Sequence, residues 1–312
     1  MLEDMAVGFA TVGQQVLILF LLVAVGFACG KARVLNDRAV KGIAEMVLLF
    51  AAPCVIIQSF ERPFRPSMLV GLGIAALAAV AVHIVSIVIA RLVFRDADVA
   101  RRRVLRFAAV FSNAGYMGLP LQQALLGEDG VFYGAAYVVV FNLVLWSYGL
   151  FEMSGDSKGF SVRKLLLNPG IIGIVCGLPL FLFSLTLPTV LSEPVRHIAA
   201  LNTPLPMICI GFYLADTRLR EALRDRKSYA VAGLRLLAIP LLSLGALYLC
   251  GIRGALLVSL VIAASAPCAA ATTMFATKFD QDTCLSVNLV SLTTILSLAT
   301  MPLVVGAAQA IA

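Results

Sequence analysis

Long apolar runs separated by short polar segments extend through the whole chain. A helix needs about 20 mostly apolar residues to cross the hydrocarbon core of a bilayer. Ten stretches approach or exceed that length, which predicts an all-α polytopic membrane protein. The predicted spans are residues 9–30, 39–60, 67–94, 104–126, 130–151, 168–187, 195–215, 229–250, 254–277 and 283–308.

Two of these apolar stretches are interrupted in a similar way. Residues 112–120 read SNAGYMGLP, and residues 265–268, about 152 positions later, read SAPC. A broken helix inside a bilayer persists only where protein or a water-filled cavity surrounds it. Interruptions at corresponding places in two halves of a chain point to the binding site of a transporter.

The same shift of about 152 residues relates other features of the two halves. It places Gly115 on Pro267 and brings Pro53 within one residue of Pro206. Because five spans is an odd number, the second copy would be inverted in the membrane. We predict a first five-helix repeat at residues 1–152, a cytoplasmic linker at 153–167, and a second, inverted repeat at 168–312, with one broken helix in each repeat.

Composition indicates the class of protein, and the distribution of charge indicates how it is oriented in the membrane. The chain is 61% hydrophobic and 13% charged, whereas a soluble domain carries about 25% charged residues. The odd-numbered predicted loops hold 19 of the 24 Lys and Arg residues, against four in the even-numbered loops. The positive-inside rule then places the odd loops in the cytoplasm and both termini outside. The net charge of +7 is therefore explained by a bilayer partner and indicates no nucleic acid.

Motifs for other chemistry are missing from the sequence. The seven cysteines form no CxxC pair or Cys/His cluster, so neither a metal site nor a disulfide framework is expected. No Walker motif indicates ATP as an energy source. No catalytic pair suggests an enzyme. We expect no cofactor.

The residues at the two breaks are the first candidates for a substrate site. Gly115 and Gly118 weaken a helix, and Pro120 fits the first turn of a new one, so one half-helix should end near Asn113 and another start near Leu119 or Pro120. Its free amides and positive dipole end would attract an anion at the membrane centre. Alternatively, both breaks are proline kinks with small residues for close packing. The candidates are Asn113, Gly115, Gly118, Pro120, Ser265, Pro267, Thr272 and Thr273.

Four more residues follow or face the breaks in the predicted arrangement. Asn142 and Asn288 lie in the spans that follow the broken helices, where they could line a cavity or form hydrogen bonds between helices. Pro53 and Pro206 could be kinks that shape the opposite wall of the cavity.

Three ionisable residues fall inside predicted spans, where burial of charge is costly. Glu45 could reach the cytoplasmic surface or pair with Lys41. Arg235 could also reach the cytoplasm, or could partner the substrate or an internal carboxylate. His83 is either a hydrogen-bonded core histidine or a proton relay. Each is a candidate coupling group or charge partner.

The run from Phe111 to Leu121, with Tyr137 to Asn142 after it, resembles the auxin efflux carrier family. That family includes plant PIN-type auxin exporters and bacterial malate and malonate permeases. The resemblance implies ten spans in an inverted repeat, similar to bile-acid symporters and NhaA-type antiporters. It also implies helices four and nine that cross where they unwind. Helices 1, 2, 6 and 7 would form a scaffold that mediates homodimers, and the others a transport domain that moves like an elevator.

The expected function is secondary active transport of a small organic anion, such as a mono- or dicarboxylate. This chain lacks the long cytoplasmic loop of the large plant members, so it resembles a bacterial member, which implies a location in the bacterial inner membrane. Related bile-acid symporters place carboxylates near the crossing for sodium, whereas here that region offers Asn113, Ser265, Thr272 and Thr273. The alternatives are a membrane ligand sensor without transport and a sodium-coupled symporter of the bile-acid type.

Overall fold

The computed structural model describes residues 2–155, 168–215 and 225–312. Most of the predicted linker at 153–167 lies outside the described residues. Helices account for nearly all of the described chain, and these parts contain no β-strand. The helices are α1 (Leu2–Lys31), α2 (Asp37–Phe60), α3 (Pro66–Val93), α4 (Val99–Val110), α5 (Ala114–Ser154), α6 (Pro169–Leu182), α7 (Thr189–Ala215), α8 (Arg226–Leu249), α9 (Gly254–Ser265), α10 (Ala271–Lys278) and α11 (Thr283–Ile311).

Side-chain caps mark several of the helix starts that follow polar segments. The Asn36 side chain accepts a hydrogen bond from the Ala39 amide, and Asp98 accepts bonds from the first amides of α4. Asn168, Asp225 and Asp282 do the same for α6, α8 and α11. Such caps satisfy amides that have no partner within the helix. Polar residues at the ends of the apolar runs thus set where these helices begin.

Seven of the described helices are long and apolar enough to cross a bilayer: α1 from Ala10, α2, α3, α5, α7, α8 and α11. The chain is therefore a multi-pass helical membrane protein. Two shorter apolar helices, α6 and α9, accompany them. Ten spans stay a prediction, because α4, α6, α9 and α10 are each shorter than one crossing.

Several long helices contain an irregular turn. Gly127 has positive φ and divides α5 into residues 114–126 and 128–154, a conformation that glycine adopts without strain. One π turn, Val47–Ala51, precedes Pro53 in α2, and another, Leu234–Ala238, precedes Pro240 in α8. Irregular turns of this kind are frequent at functional sites.

Direct backbone contact joins α1 to α7. A Cβ atom on Gly211 would lie 1.9 Å from the Val23 carbonyl oxygen, and one on Gly26 would lie 2.1 Å from the Ile208 carbonyl oxygen. Lipid tails are as apolar as the side chains, so the hydrophobic effect does not drive helices together inside a membrane. Small residues favour helix packing there because they let the backbones approach closely. The pair α1 and α7 therefore depends on the missing side chains of these two glycines.

The interior is built around α4, α5, α9 and α11. Phe107 of α4, Phe111 just after it, Phe132 of α5 and Phe275 of α10 are fully buried in this interior, and the rings of Phe107 and Phe111 lie 4.4 Å apart between centroids. Large apolar side chains on α3, such as Leu77 at 72% exposure, face outward instead. Outward-facing apolar residues are expected where the solvent is lipid.

We predict that Gly211→Ala lowers the melting temperature of the detergent-solubilised protein. The added methyl group must displace the α1 backbone, and overpacking of this kind costs about 1–3 kcal/mol. The matched control is Gly245→Ala in α8, where a Cβ meets nothing within 4 Å. Thermal unfolding should show a loss for the first variant and none for the second; equal melting temperatures would contradict the backbone contact.

Candidate functional site

The two sequence interruptions meet each other in space. The Asn113 amide donates to the Pro267 carbonyl at 2.7 Å, and the Ala269 amide donates to the Phe111 carbonyl at 2.9 Å. Ser112 lies opposite Cys268 in an isolated antiparallel bridge. Backbone groups that leave the helical ladder inside an apolar core must find other partners. Here the two breaks are each other's partners.

Arg235 donates hydrogen bonds to the helix ends beside this bridge. Its side chain is fully buried, and its guanidinium donates to the carbonyls of Ala109 at 3.3 Å and Val110 at 3.0 Å, at the C-terminal end of α4. It also donates to the Ala264 carbonyl at the end of α9. One cation therefore serves two helix C-termini, which both carry partial negative charge. The expectation that Arg235 reaches the cytoplasmic surface is wrong.

Cys268 and Thr293 satisfy further groups at the breaks. The Cys268 thiol donates to the Ala108 carbonyl at 3.2 Å, and its amide donates to Thr293 Oγ1 at 3.1 Å. Thr293 in turn donates to the Leu289 carbonyl in its own helix. Carbonyls 108 to 111 of the first break thus all have a donor, since Phe111 is bonded to Ala269.

At the half-helix starts, unlike at the half-helix ends, several backbone groups have no hydrogen-bond partner among the described residues. The Asn113 carbonyl accepts from Met117 and Gly118, but the amides of Ala114, Gly115 and Tyr116 donate to no acceptor among the described residues. Three free amides at a helix start form a partially positive surface suited to an anion.

The start of α10 has a similar character. Thr272 is fully buried, and its hydroxyl has no hydrogen-bond partner in the described part of the chain. Ala270, just before the helix, is exposed. The Thr273 hydroxyl accepts a bond from Ser286 of α11 at 3.4 Å. A buried hydroxyl without a partner beside an accessible helix start is a candidate ligand group.

Other predicted residues of the breaks lie in the same region. Asn113 is 5% exposed, and its carboxamide does not cap the helix that follows it. Ser265 is buried and donates to the Ile262 carbonyl. A Cβ on Gly118 would lie 3.7 Å from the Ala263 Cα atom, so α5 and α9 pack closely here.

The first break is shorter and earlier than predicted. The helix stops at Val110 and resumes at Ala114, as the π turn Ala114–Gly118, rather than ending near Asn113 and resuming near Pro120. Pro120 follows this turn, inside α5. The reason is that a proline lacks an amide donor, which a π turn immediately before it can accommodate.

Four candidates lie among helix contacts. Asn142 donates to the Val138 carbonyl and accepts from Asn168 at 2.9 Å. Asn288 donates to the Cys284 sulfur at 3.9 Å. Pro53 packs against Gly173 of α6, where an added Cβ would lie 3.1 Å from the Pro53 Cα atom. Pro206 is buried in α7, the helix that packs on α1.

The two remaining ionisable candidates occupy opposite environments. Glu45 is exposed on α2. His83 is 1% exposed, with Nδ1 2.7 Å from the Ala79 carbonyl and its ring among those of Tyr137, Phe111 and Phe141. This is the core histidine that the sequence offered as one of two possibilities.

Sequence reasoning missed Tyr116 and Cys268 as part of the site. The Tyr116 hydroxyl donates to the Ala44 carbonyl of α2 at 3.3 Å, which makes it a direct link from the break to another helix. The position of Cys268, immediately after the break proline, was the available signal. In the described residues no three His, Cys, Asp or Glu side chains cluster closely enough to hold a metal ion.

A multi-pass helical membrane protein with two paired helix breaks has the architecture of a membrane transport protein. The family described as membrane transport protein matches residues 11–305, and the chain belongs to this family, the auxin efflux carriers. An uncharacterized transporter of Methanothermobacter thermautotrophicus is 26% identical over 298 residues, which cover 93% of this chain and 96% of the relative. Family membership confirms the resemblance and makes the protein a transporter rather than an enzyme.

We predict that Thr293→Val destabilises the protein. The change keeps the shape of the side chain but leaves the buried Cys268 amide without its acceptor, which costs about 1–3 kcal/mol. Thr300→Val is the matched control, because the Thr300 hydroxyl bonds only to Leu296 of its own helix. Melting temperatures of the two variants in the same detergent should separate them. The assigned role of Thr293 fails if Thr300→Val is equally destabilised.

Proposed function

We propose that the protein is a secondary active carrier of small organic anions, such as mono- or dicarboxylates. The anion would be held where α5 and α10 start, at the crossing of the two broken segments. The observation that carries this proposal is the set of free amides at residues 114–116, where α5 starts, together with the buried and unpartnered Thr272 hydroxyl, where α10 starts. Both groups donate hydrogen bonds, as a carboxylate ligand requires.

The charges at the crossing support an anion. Arg235 neutralises the C-terminal ends of α4 and α9, so these negative ends no longer offset the positive ends of α5 and α10. In a site that excludes water, partial charges act over longer distances than they do in water. An anion therefore gains more from these helix starts than it would at a protein surface.

We also propose the inverted repeat of five plus five spans. Two packing pairs support it: α1 packs on α7, and α6 packs on α2. A shift by half the chain exchanges these two pairs, since α1 would correspond to α6 and α7 to α2. The antiparallel bridge between the breaks is a second sign of such a relation.

The transport mechanism that we propose is elevator-type alternating access. Helices α1, α2, α6 and α7 would form the scaffold, and α3 to α5 with α8 to α11 the moving domain. The scaffold would mediate a homodimer in a bacterial inner membrane, with both termini outside. Support comes from the contacts just described, since α1 packs on α7 and α6 packs on α2, while the two breaks bond to each other.

Transport assays test the substrate site. We expect Asn113→Ala in proteoliposomes to lower uptake of radiolabelled malate, malonate or indole acetate at least tenfold, because a hydrogen bond to a charged group is worth about 1.5–3 kcal/mol. The matched control is Asn288→Ala, whose carboxamide is similarly buried but bonds within its own helix. Normal uptake by Asn113→Ala would remove this residue from the site. Ligand binding without flux in the wild-type protein would favour a sensor instead.

Cross-linking tests the moving domain. Arg62, after α2, forms ion pairs with Glu128 and Asp129 at the turn of α5, and the mechanism requires these segments to separate. We expect a short bismaleimide across Arg62→Cys and Asp129→Cys to stop transport. The control joins Arg101→Cys to Asp225→Cys, two positions paired at 2.7 Å within the proposed moving domain, and should leave transport intact. Full activity of the first cross-linked pair would contradict the elevator.

A further inference from the structure

Arg235 has no acidic partner in the described parts of the chain. All three of its hydrogen bonds go to backbone carbonyls, and its Nε atom has no partner among the described residues. Backbone carbonyls carry partial charges only. The guanidinium therefore brings a full positive charge into the interior of the protein, and no carboxylate in direct contact balances it.

The other buried ionisable side chains do not balance this charge. In the described parts of the chain these are Glu152 and His83. Glu152 already pairs with two arginines, Arg106 at 3.4 Å and Arg91 at 3.6 Å, and accepts a bond from Tyr148. His83 lies among aromatic rings, and a second cation near Arg235 would be repelled. Tyr137 and Cys268 also act electrostatically on Arg235, and both are neutral at pH 7.

The helix ends at the crossing contribute charges that can be summed. A helix carries roughly half a positive charge at its start and half a negative charge at its end. The ends of α4 and α9 and the starts of α5 and α10 therefore cancel as a set. What remains at the empty crossing is the single positive charge of Arg235.

We infer that Arg235 determines how many negative charges the substrate carries. An anion with one negative charge balances the single positive charge at the crossing. This inference rests on the proposed function and narrows it to monocarboxylates. A dicarboxylate would bring a second negative charge into a site that excludes water and offers it no cation, and an unpaired buried charge is strongly disfavoured. The buried Thr272 hydroxyl can complete the hydrogen bonds of one carboxylate. Arg235 acts here through the helix ends as a positioning residue.

Binding of malonate and malonamate to the purified full-length protein tests this inference. The two compounds share a carbon skeleton, but malonamate carries an amide in place of one carboxylate. We expect calorimetry at pH 7 to show malonamate binding at least tenfold more tightly than malonate. Equal binding, or tighter binding of malonate, would overturn the inference while the proposed function stands.

Three variants separate the charge from its hydrogen bonds. Arg235→Lys keeps the charge and should keep the malonamate preference at lower overall affinity. Arg235→Gln removes the charge and should lose at least tenfold in malonamate affinity together with the preference. Arg196→Gln removes an exposed charge on α7 and should change neither value.

The remaining outcomes are also decisive. A preference that survives in Arg235→Gln overturns the inference. If Arg235→Gln does not fold, the ratio of the two affinities in the wild-type protein and in Arg235→Lys decides the question. If the wild-type protein neither binds nor transports malonate, malonamate, malate or indole acetate, the proposed function fails and the inference fails with it.

Discussion

The structure depends on how a helix can end inside an apolar interior. Its last carbonyls need donors, and neither water nor lipid supplies them there. Arg235 meets this need twice, at the ends of α4 and α9, because a guanidinium offers five donors in a planar fork. A lysine, with one nitrogen, could not span the same carbonyls. The burial of a full charge is the cost, and the partial charges of two helix ends offset it.

This arrangement divides the breaks into a structural side and a free side. The helix ends are satisfied by Arg235, by Cys268 and by the bridge between the two breaks. The helix starts keep unpaired amides at residues 114–116 and the lone hydroxyl of Thr272. Natural proteins leave few buried polar groups without partners. Unpartnered donors at both helix starts therefore favour a ligand there over a simple packing kink.

Much of this followed from local patterns in the sequence. Glycine and proline at 115–120 and at 267 predict interrupted helices from backbone chemistry alone, and the matching spacing predicts that the interruptions are related. The partner of Arg235 was not predictable in this way, because its carbonyls lie 125 or more residues earlier in the chain and 29 residues later. Every residue has a backbone carbonyl, so the sequence does not show which carbonyls accept a bond from Arg235. Similarly, the π turn before Pro120 depends on packing around it, so the start of α5 was placed several residues too late.

The bridge between the breaks also bears on how the chain is made. The Asn113 amide bonds to the carbonyl of Pro267, a residue that the ribosome adds 154 positions later. Until then the first break sits in the membrane with unsatisfied groups, and it cannot adopt its final form. Contacts this distant in sequence form slowly. Nascent chains that stop before residue 267 would therefore be recognisable as incomplete by their exposed polar backbone, which gives the cell's quality-control proteases a feature to detect.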